Sequence, residues 1–205
     1  MKIIVATNNQ HKINEIQTIA NAELKTAVAF ISPKSVGINI SPIEDGTTFE
    51  ENAAIKAIAF YNAPENTQRL PVIADDSGLE IEALDGAPGI HSARFSSAAH
   101  DESNRAKVLQ LLDGVSNRQA RFVCVLAYYD GTAVRYFTGY CNGVIIEEER
   151  GVNGFGYDPI FIPENDHKNE HRTYDKTFAE MSDIEKNMLS HRYRALVEFC
   201  YSFGR

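Results

Sequence analysis

The order of apolar and polar residues in the first part of the chain alternates between strand-like runs and helical spacing. Residues 2–6 form a short apolar run typical of a buried strand, and apolar residues recur at helical spacing over 10–21. A second strand is predicted at 25–31, and a capping-box pattern at 47–50 predicts the start of another helix. This part of the chain therefore predicts strands and helices in alternation.

Strands predominate in the pattern that follows. The predicted elements are a strand with a turn at 72–78, a strand at 80–84, a helix capped by Asp101, a hairpin of 121–129 and 134–140, a strand at 144–146 and a helix that begins with a capping box at 182–185 and continues to the C-terminus. Early alternation and late clustering of strands favour a mixed sheet with flanking helices over a purely parallel fold. We therefore expect an α/β protein, and residues 1–205 read as a single domain.

Two adjacent carboxylates follow the apolar residues of the strand predicted at 72–78. Asp75 and Asp76 come directly after that apolar run, and Ser77 and Gly78 follow as a turn. Burying two neighbouring carboxylates is costly unless cations or hydrogen-bond donors compensate them. The pair therefore favours a metal site, a cationic partner or a proton-transfer role, and the alternative is an ordinary strand followed by an Asp-Ser-Gly turn.

Two lysines occupy helix positions at which an anion could bind. Lys12 lies in the first turn of the helix predicted at 10–21, where a cation opposes the helix dipole unless the lysine and the free backbone N–H groups share an anion. Lys56 has apolar neighbours, and Asn52 lies one turn before it, so these two side chains could also reach a shared anion. The alternative for each lysine is an ammonium group solvated at the surface.

A glycine-rich loop at 151–159 carries groups able to contact a nucleotide base. Its aromatic residues, Phe155 and Tyr157, could stack on a base, and Asp158 could accept a hydrogen bond from one. The alternative is a loop whose aromatic side chains pack in the core, which is the commoner arrangement.

The C-terminal helix offers a histidine and an arginine side by side. Ile184, Met188 and His191 recur at helical spacing, which predicts that they face inward. His191 with Arg192 could then contact the polar edge of a ligand, whereas an inward histidine is otherwise a hydrogen-bonded core residue.

Composition narrows the class of protein. The 205 residues carry 20 Lys and Arg against 28 Asp and Glu, a net charge of −8, which argues against a partner bound through nonspecific neutralisation of nucleic-acid phosphates. The first residues lack a signal-peptide pattern, and the sequence has no apolar segment long enough to span a bilayer. We therefore expect a soluble cytoplasmic protein without a membrane or nucleic-acid partner.

Patterns for zinc or disulfides are weak. Cys124, Cys141 and Cys200 are odd in number and far apart, which fits a reducing compartment. His167 and His171 lie four residues apart in a polar segment without helical patterning, so a solvated loop is favoured over a metal site there.

Five separated segments, in order along nearly the whole chain, together carry a family resemblance. They are Thr7 to Lys12, Thr47 to Lys56, Ala74 to Leu79, Gly154 to Pro159, and Ser190 to Arg192. With these segments the chain resembles the inosine triphosphate pyrophosphatase family, also called Ham1-like. Several motifs at family-like intervals are far more specific than any one alone.

The resemblance implies an elongated α/β fold in which two lobes flank a central cleft, and a homodimer. It also implies Mg²⁺-dependent hydrolysis of non-standard purine nucleoside triphosphates (ITP, dITP, XTP and dXTP) to the monophosphate and pyrophosphate. By position, Glu44 and Asp76 match the family's metal ligands, Asp76 its catalytic base, and Asp75 a supporting catalytic residue.

The resemblance also implies a set of substrate-binding residues. They are Thr7, Asn8, Asn9, Gln10, His11 and Lys12 in the phosphate-binding turn, Lys56 as a second phosphate lysine, Ser77, the base loop of Phe155, Gly156, Tyr157 and Asp158, and the nucleotide contacts Lys186, His191 and Arg192. In this family the phosphate turn usually has glycine where this chain has Asn8, which tolerates a positive φ at small cost. Residues 165–174 look longer than the family's corresponding segment, and on one unbroken helix Lys186 would point away from His191.

Two other functions fit the same residues. One is a nucleotide-binding regulator without turnover, which the acidic set of Glu44, Asp75 and Asp76 disfavours because binding a polyanion would gain from fewer negative charges. The other is a hydrolase that removes modified pyrimidine triphosphates, which only a comparison of substrates can distinguish.

Overall fold

The computed structural model describes residues 1–7, 9–23, 28–164 and 175–203. The strands are β1 Lys2–Val5, β2 Ala29–Ile31, β3 Val72–Ile81, β4 Gln119–Tyr129, β5 Val134–Ile145 and β6 Phe161–Pro163. The α-helices are α1 Gln10–Glu23, α2 Phe49–Asn62, α3 Asp101–Leu111, α4 Asp183–Leu189 and α5 His191–Phe203. None of the described helices is both long and apolar enough to cross a membrane.

The strands form one mixed sheet. Its six strands lie in the order β2-β1-β3-β4-β5-β6. β1 is parallel to both β2 and β3, whereas β6 is antiparallel to β5. The predicted mixed α/β fold class is therefore confirmed.

The chain divides into two compact units, each with its own core. The first comprises Met1–Asp76, Cys124–Gly139 and Arg192–Arg205, and the second comprises Ser77–Val123 and Tyr140–His191. Buried side chains of the first core include Ile3, Ile16, Ile73, Leu126, Leu196 and Phe199. Those of the second include Leu79, Val108, Phe122, Phe161 and Phe178. The single domain expected over 1–205 stays a prediction.

β3 is longer than the sequence predicted. The turn at Ser77 and Gly78 and the separate strand at 80–84 were wrong, because Val72–Ile81 is one strand that passes through both aspartates. Each aspartate side chain has a cationic partner, which compensates for removing most of its carboxylate from water. The chain passes from the first unit to the second within this strand, between Asp76 and Ser77.

Two helix caps lie one residue from their predicted positions. Thr48, not Thr47, is the N-cap of α2, and its hydroxyl accepts a hydrogen bond from Glu51 N at 3.1 Å. His100 caps α3 through Nδ1, so Asp101 is the first residue of that helix instead of its cap. At α4 the predicted capping box of Ser182 and Glu185 is confirmed.

The C-terminal helix is broken, which the periodicity did not predict. Ser190 has an extended backbone, with ψ of 152°, and ends α4 before α5 begins at His191. Ile184 and Met188 are therefore exposed (76% and 66%), although they were expected to face inward. The break also allows Lys186 and His191 to be buried together in the second unit. Of the strand predicted at 25–31, residues 25–27 lie outside the described residues, as do Asn8, His167, His171 and the whole segment 165–174.

Candidate active site

Asp75 is the centre of a buried ion-pair network in the first unit. It is 4% exposed, and Nζ of Lys12 on α1 lies 3.0 Å from each of its carboxylate oxygens. Arg192, at the start of α5, donates from Nη2 to Asp75 Oδ2 at 3.2 Å. Burial alone would raise the pKa of Asp75, but the charges of Lys12 and Arg192 outweigh it and hold that pKa well below its usual range. Asp75 is therefore a permanent anion that fixes two cations.

Glu15 is a member of this network that the sequence did not reveal. Its carboxylate accepts a hydrogen bond from Nη1 of Arg192, whose side chain is 2% exposed. The available signal was its position one turn after Lys12 on α1, which places both side chains on one helix face. In the part of the chain that the structure describes, Glu15 Oε1 and Arg192 Nε are buried and make no hydrogen bond.

Asp76 belongs to a second group, with Glu44 and Lys56. Lys56 Nζ, on α2, donates to Glu44 Oε2 at 2.7 Å and to Asp76 Oδ1 at 2.9 Å. Burial raises the pKa of Asp76 to about 6, helped by the charges of Glu44 and Asp75 and opposed by Lys56. For Lys56, burial lowers the pKa, but the charges of Asp76 and Asp75 outweigh it and the net direction is upward. Asp76 is thus a carboxyl group that can exchange a proton near neutral pH.

The residues around Asp76 fit a hard divalent cation. Asp76 Oδ2 is buried and has no hydrogen-bond partner among the described residues, while Glu44 presents a second carboxylate to the same ammonium group. Over those residues, no group of three or more His, Cys, Asp or Glu side chains is arranged to hold a metal. Two carboxylates are nevertheless enough for Mg²⁺, which commonly takes its remaining ligands from water and substrate phosphates.

The turn before α1 presents backbone N–H groups near Lys12. Asn9 N donates to Thr7 Oγ1 at 3.1 Å, and Lys12 N donates to Asn9 Oδ1 at 3.4 Å. Gln10 and His11 are the first helix residues, but the structure does not describe their side chains. Both of these N–H groups are engaged within the turn, so the phosphate-binding role expected for the start of α1 stays a prediction.

The base loop of the second unit is held together by Asp158. This residue is 4% exposed, and its Oδ2 accepts hydrogen bonds from Phe155 N at 2.8 Å and from Lys186 Nζ at 2.7 Å. The same ammonium group lies 4.6 Å from the centre of the Phe155 ring. Gly154 has φ of +75°, and a Cβ there would overlap the Asp158 carboxylate. Only glycine fits at this position.

Three other predicted substrate residues have different surroundings within the second unit. The Tyr157 hydroxyl donates to Ser92 O at 2.7 Å and its ring is buried in the core, so burial raises its pKa and the ring cannot stack on a base from there. His191 stacks on Phe122 with ring centres 4.9 Å apart. Ser77 is a half-buried residue of β3.

The predicted site residues thus divide between the two units. The first set is Thr7, Asn9, Lys12, Glu44, Lys56, Asp75, Asp76 and Arg192, and the second is Ser77, Phe155, Gly156, Tyr157, Asp158, Lys186 and His191. The roles implied for these residues stay predictions.

Comparison with known proteins identifies the family. Residues 3–201 match the model of the Ham1 family. The chain belongs to the Ham1 family. A protein of Desulfotalea psychrophila named dITP/XTP pyrophosphatase is 46% identical, with 96% of this chain and 82% of that protein aligned. One of the same name from Leuconostoc mesenteroides is 42% identical, with 97% and 94% aligned.

Solved structures of Ham1 proteins share the fold. The Staphylococcus aureus Ham1 protein superposes with a TM-score of 0.81 at 37% identity, covering 99% of this chain and 98% of that one. A HAM1 protein from Coxiella burnetii gives a TM-score of 0.83 at 36% identity, with the same coverage. The resemblance read from the five sequence segments is therefore confirmed.

Proposed function

We propose that this Ham1 family member hydrolyses non-standard purine nucleoside triphosphates (ITP, dITP, XTP and dXTP) to the monophosphate and pyrophosphate, and so removes them from the nucleotide pool. The naming of its relatives as dITP/XTP pyrophosphatases supports the substrate class. The observation that carries the chemistry is the buried pair Asp75 and Asp76, each with its own lysine. The relatives' names do not favour the regulator or a pyrimidine triphosphatase.

Neutralising the substrate's charge is the first requirement. A triphosphate carries about four negative charges, and displacement at the α-phosphorus needs them compensated. Lys12 and Lys56 supply two ammonium groups, and the backbone N–H groups at the start of α1 supply neutral donors. In the proposed complex both lysines turn part of their hydrogen-bonding capacity from the carboxylates to phosphate oxygens.

Asp76 is proposed as the general base. Its buried Oδ2 has no hydrogen-bond partner among the described residues, so this oxygen can accept the proton of an attacking water. Lys56 holds the other carboxylate oxygen at 2.9 Å and so fixes the orientation of the base. Hydrolysis needs no covalent intermediate, because water attacks directly and pyrophosphate leaves.

Glu44 and Asp76 are proposed to hold Mg²⁺ through their carboxylate oxygens. When bound, the ion supplies charge neutralisation at the phosphates and makes coordinated water more acidic. Asp75 stays paired with Lys12 and Arg192 and keeps both cations in place.

Base recognition is assigned to Phe155, Lys186 and His191, which all belong to the second unit. Phe155 is the partly exposed aromatic ring of the base loop, and Lys186 lies over it. Cationic and N–H donors match the 6-oxo group of hypoxanthine or xanthine, whereas the 6-amino group of adenine would leave those donors unpaired.

Product analysis tests this proposal. Purified protein incubated with ITP and Mg²⁺ should release IMP and pyrophosphate in equal amounts, and EDTA should stop the reaction. Release of inorganic phosphate and IDP would overturn the assignment of the attacked phosphorus. Binding of ITP without any product would favour the non-catalytic regulator, and a preference for modified pyrimidine triphosphates would favour the other hydrolase.

We also propose a homodimer in the cytoplasm, from the family resemblance. Sedimentation equilibrium should give twice the 22.8 kDa mass of the chain, and a mass of one chain at micromolar concentration would exclude the dimer.

A further inference from the structure

The base loop is held from outside by two charged residues of α3. Gly156 N donates to Asp101 Oδ2 at 2.7 Å, and Arg105 Nη1 donates to Gly156 O at 2.9 Å. Asp101 and Arg105 are one turn apart on α3, which puts both side chains on the same face of that helix. Both backbone groups of one loop residue are thus bound by charged partners within the second unit.

This contact restrains a segment without regular structure. Residues 154–157 belong to no helix or strand, and Gly156 has φ of +61°. Phe155, the residue before it, is tied through its N–H to Asp158. Hydrogen bonds to charged groups are shorter and stronger than neutral ones, so they can fix the loop where no β-ladder does.

α3 is itself firmly placed in the second unit. Val108 of α3 and the C-cap residue Leu112 are fully buried in the core of that unit. Asn104 is 1% exposed and donates to Ser92 O at 3.3 Å and Ala93 O at 3.2 Å. Arg105 is also braced by Glu149, with Nε and Oε1 2.9 Å apart. A rigid support of this kind transmits its position to the loop it binds.

We propose that Asp101 and Arg105 are positioning residues for base selectivity, an inference that rests on the proposed function. They fix Gly156 and thereby the orientation of the neighbouring Phe155 ring against Lys186. Discrimination between bases depends on donors and ring faces placed to within fractions of an ångström, so a freed loop admits the wrong base almost as readily as the right one.

The test compares Asp101→Ala and Arg105→Met with two controls. Arg105→Met keeps an unbranched stem and removes the donor. Asp101→Asn keeps an acceptor oxygen for Gly156 N and should rescue most of the effect. Glu102→Ala is the matched control, because it removes the adjacent carboxylate of the same first helical turn, which has no hydrogen bond to the loop in the described structure.

Both disruptive variants should lower the ratio of kcat/KM for ITP to that for ATP about tenfold. The loss for ITP should lie mainly in KM. In Asp101→Ala, amide exchange at Gly156 should accelerate about tenfold or more, since its N–H loses a charged acceptor. Glu102→Ala should keep the parental ratio and the parental exchange rate, and all four variants should keep a Tm within a few degrees of the parent.

The inference would be overturned if Asp101→Ala kept the parental ratio of kcat/KM for ITP to ATP and the parental amide exchange rate at Gly156. It would also be overturned if Glu102→Ala changed both quantities as much as Asp101→Ala does. If Asp101→Ala fails to fold, the ITP to ATP ratio of Arg105→Met decides instead, and a parental ratio there would overturn the inference. A parent unable to hydrolyse ITP would instead contradict the proposed function and the selectivity assignment with it, while exchange at Gly156 would still decide whether α3 positions the loop.

Discussion

At the scale of single residues, Asp75 and Asp76 have opposite electrostatic environments although they are adjacent. Successive side chains of a strand point to opposite faces of the sheet, so Asp75 meets Lys12 and Arg192 while Asp76 meets Lys56. The first carboxyl has its pKa pushed down and the second has it raised to about 6. One strand thus presents a fixed anion and a proton acceptor side by side.

Asp76→Asn should abolish most turnover and leave the fold intact. The amide cannot accept the proton of water and is a poorer metal ligand, so kcat for ITP should fall by about 10²- to 10⁴-fold. In the parent, the acidic limb of the kcat–pH profile should have an apparent pKa of about 6 or lower, because a bound cation favours the charged carboxylate. Near-parental kcat in the variant, or a limb above pH 7, would remove Asp76 from the role of base.

Asp75→Asn should act mainly on stability. Lys12 and Arg192 would lose their buried partner, and urea unfolding at pH 7 should show a loss of about 3–5 kcal/mol. The folded pKa of Asp75 lies below its unfolded value, so its contribution is present above about pH 4 and decreases as the pH falls below that. The difference between parent and variant should therefore shrink as the pH is lowered below about 4.

The surface ion pair of Glu80 and Arg121 provides a control for the urea unfolding measurement. Glu80 accepts from Arg121 at 2.6 Å, but the arginine side chain is half exposed. Glu80→Gln should change the free energy of unfolding by about 1 kcal/mol or less. Equal losses in Asp75→Asn and Glu80→Gln would contradict the central place of the Asp75 network.

At the scale of elements, the base loop depends on two left-handed glycines that differ in one respect. A Cβ on Gly154 would overlap the Asp158 carboxylate, whereas one on Gly156 has open space among the described residues. Alanine at either position bears about 1–2 kcal/mol of backbone strain. Gly154→Ala should in addition displace Asp158 from Lys186, so its KM for ITP should rise at least about tenfold above that of Gly156→Ala. Equal KM values would show that Asp158 does not organise the loop.

The elements also show what sequence patterns could and could not predict. α2 and the Ser182 cap followed from local periodicity and capping chemistry, which depend on neighbouring residues. The continuation of β3 through its aspartates and the place of Glu15 depend on partners far away in the chain, Lys12, Lys56 and Arg192. Local patterns carry no information about such partners.

The break at Ser190 also could not be predicted from local patterns, and it affects where Lys186 and His191 lie. The apolar spacing of 184–199 suits one helix, and no glycine or proline marks the break. Ser190 is instead fully buried, with an extended backbone. The family resemblance assigns Lys186 and His191 to the same site, which one unbroken helix would not allow. The apolar periodicity, taken alone, favoured the unbroken helix.

At the scale of the whole molecule, the core of each unit contains at least one cysteine, so thiol reactivity can measure the opening of either core. Cys124 and Cys200 lie in the core of the first unit and Cys141 in that of the second, and all three are buried cysteines outside any disulfide. Burial, with the charge of Glu23, raises the pKa of Cys200 to about 11.

Native protein should therefore react with a thiol reagent such as DTNB at pH 8 at least about 10²-fold more slowly than protein in urea, because the thiolate is the reactive form and access is closed. Mass spectrometry would assign each labelled cysteine. Rapid labelling of Cys141 with protection of the other two would show that the second unit opens by itself, contrary to the well-packed core described for it.

Competition kinetics test whether the protein selectively hydrolyses 6-oxo purine triphosphates that are not normal nucleic-acid precursors. ITP, XTP, ATP and GTP are presented together with Mg²⁺, and the monophosphates are quantified. An unpaired donor facing the adenine amino group costs about 1–3 kcal/mol, so kcat/KM for ITP and XTP should exceed that for ATP by at least about tenfold, and GTP should also be disfavoured. Similar kcat/KM values for all four substrates would contradict the account.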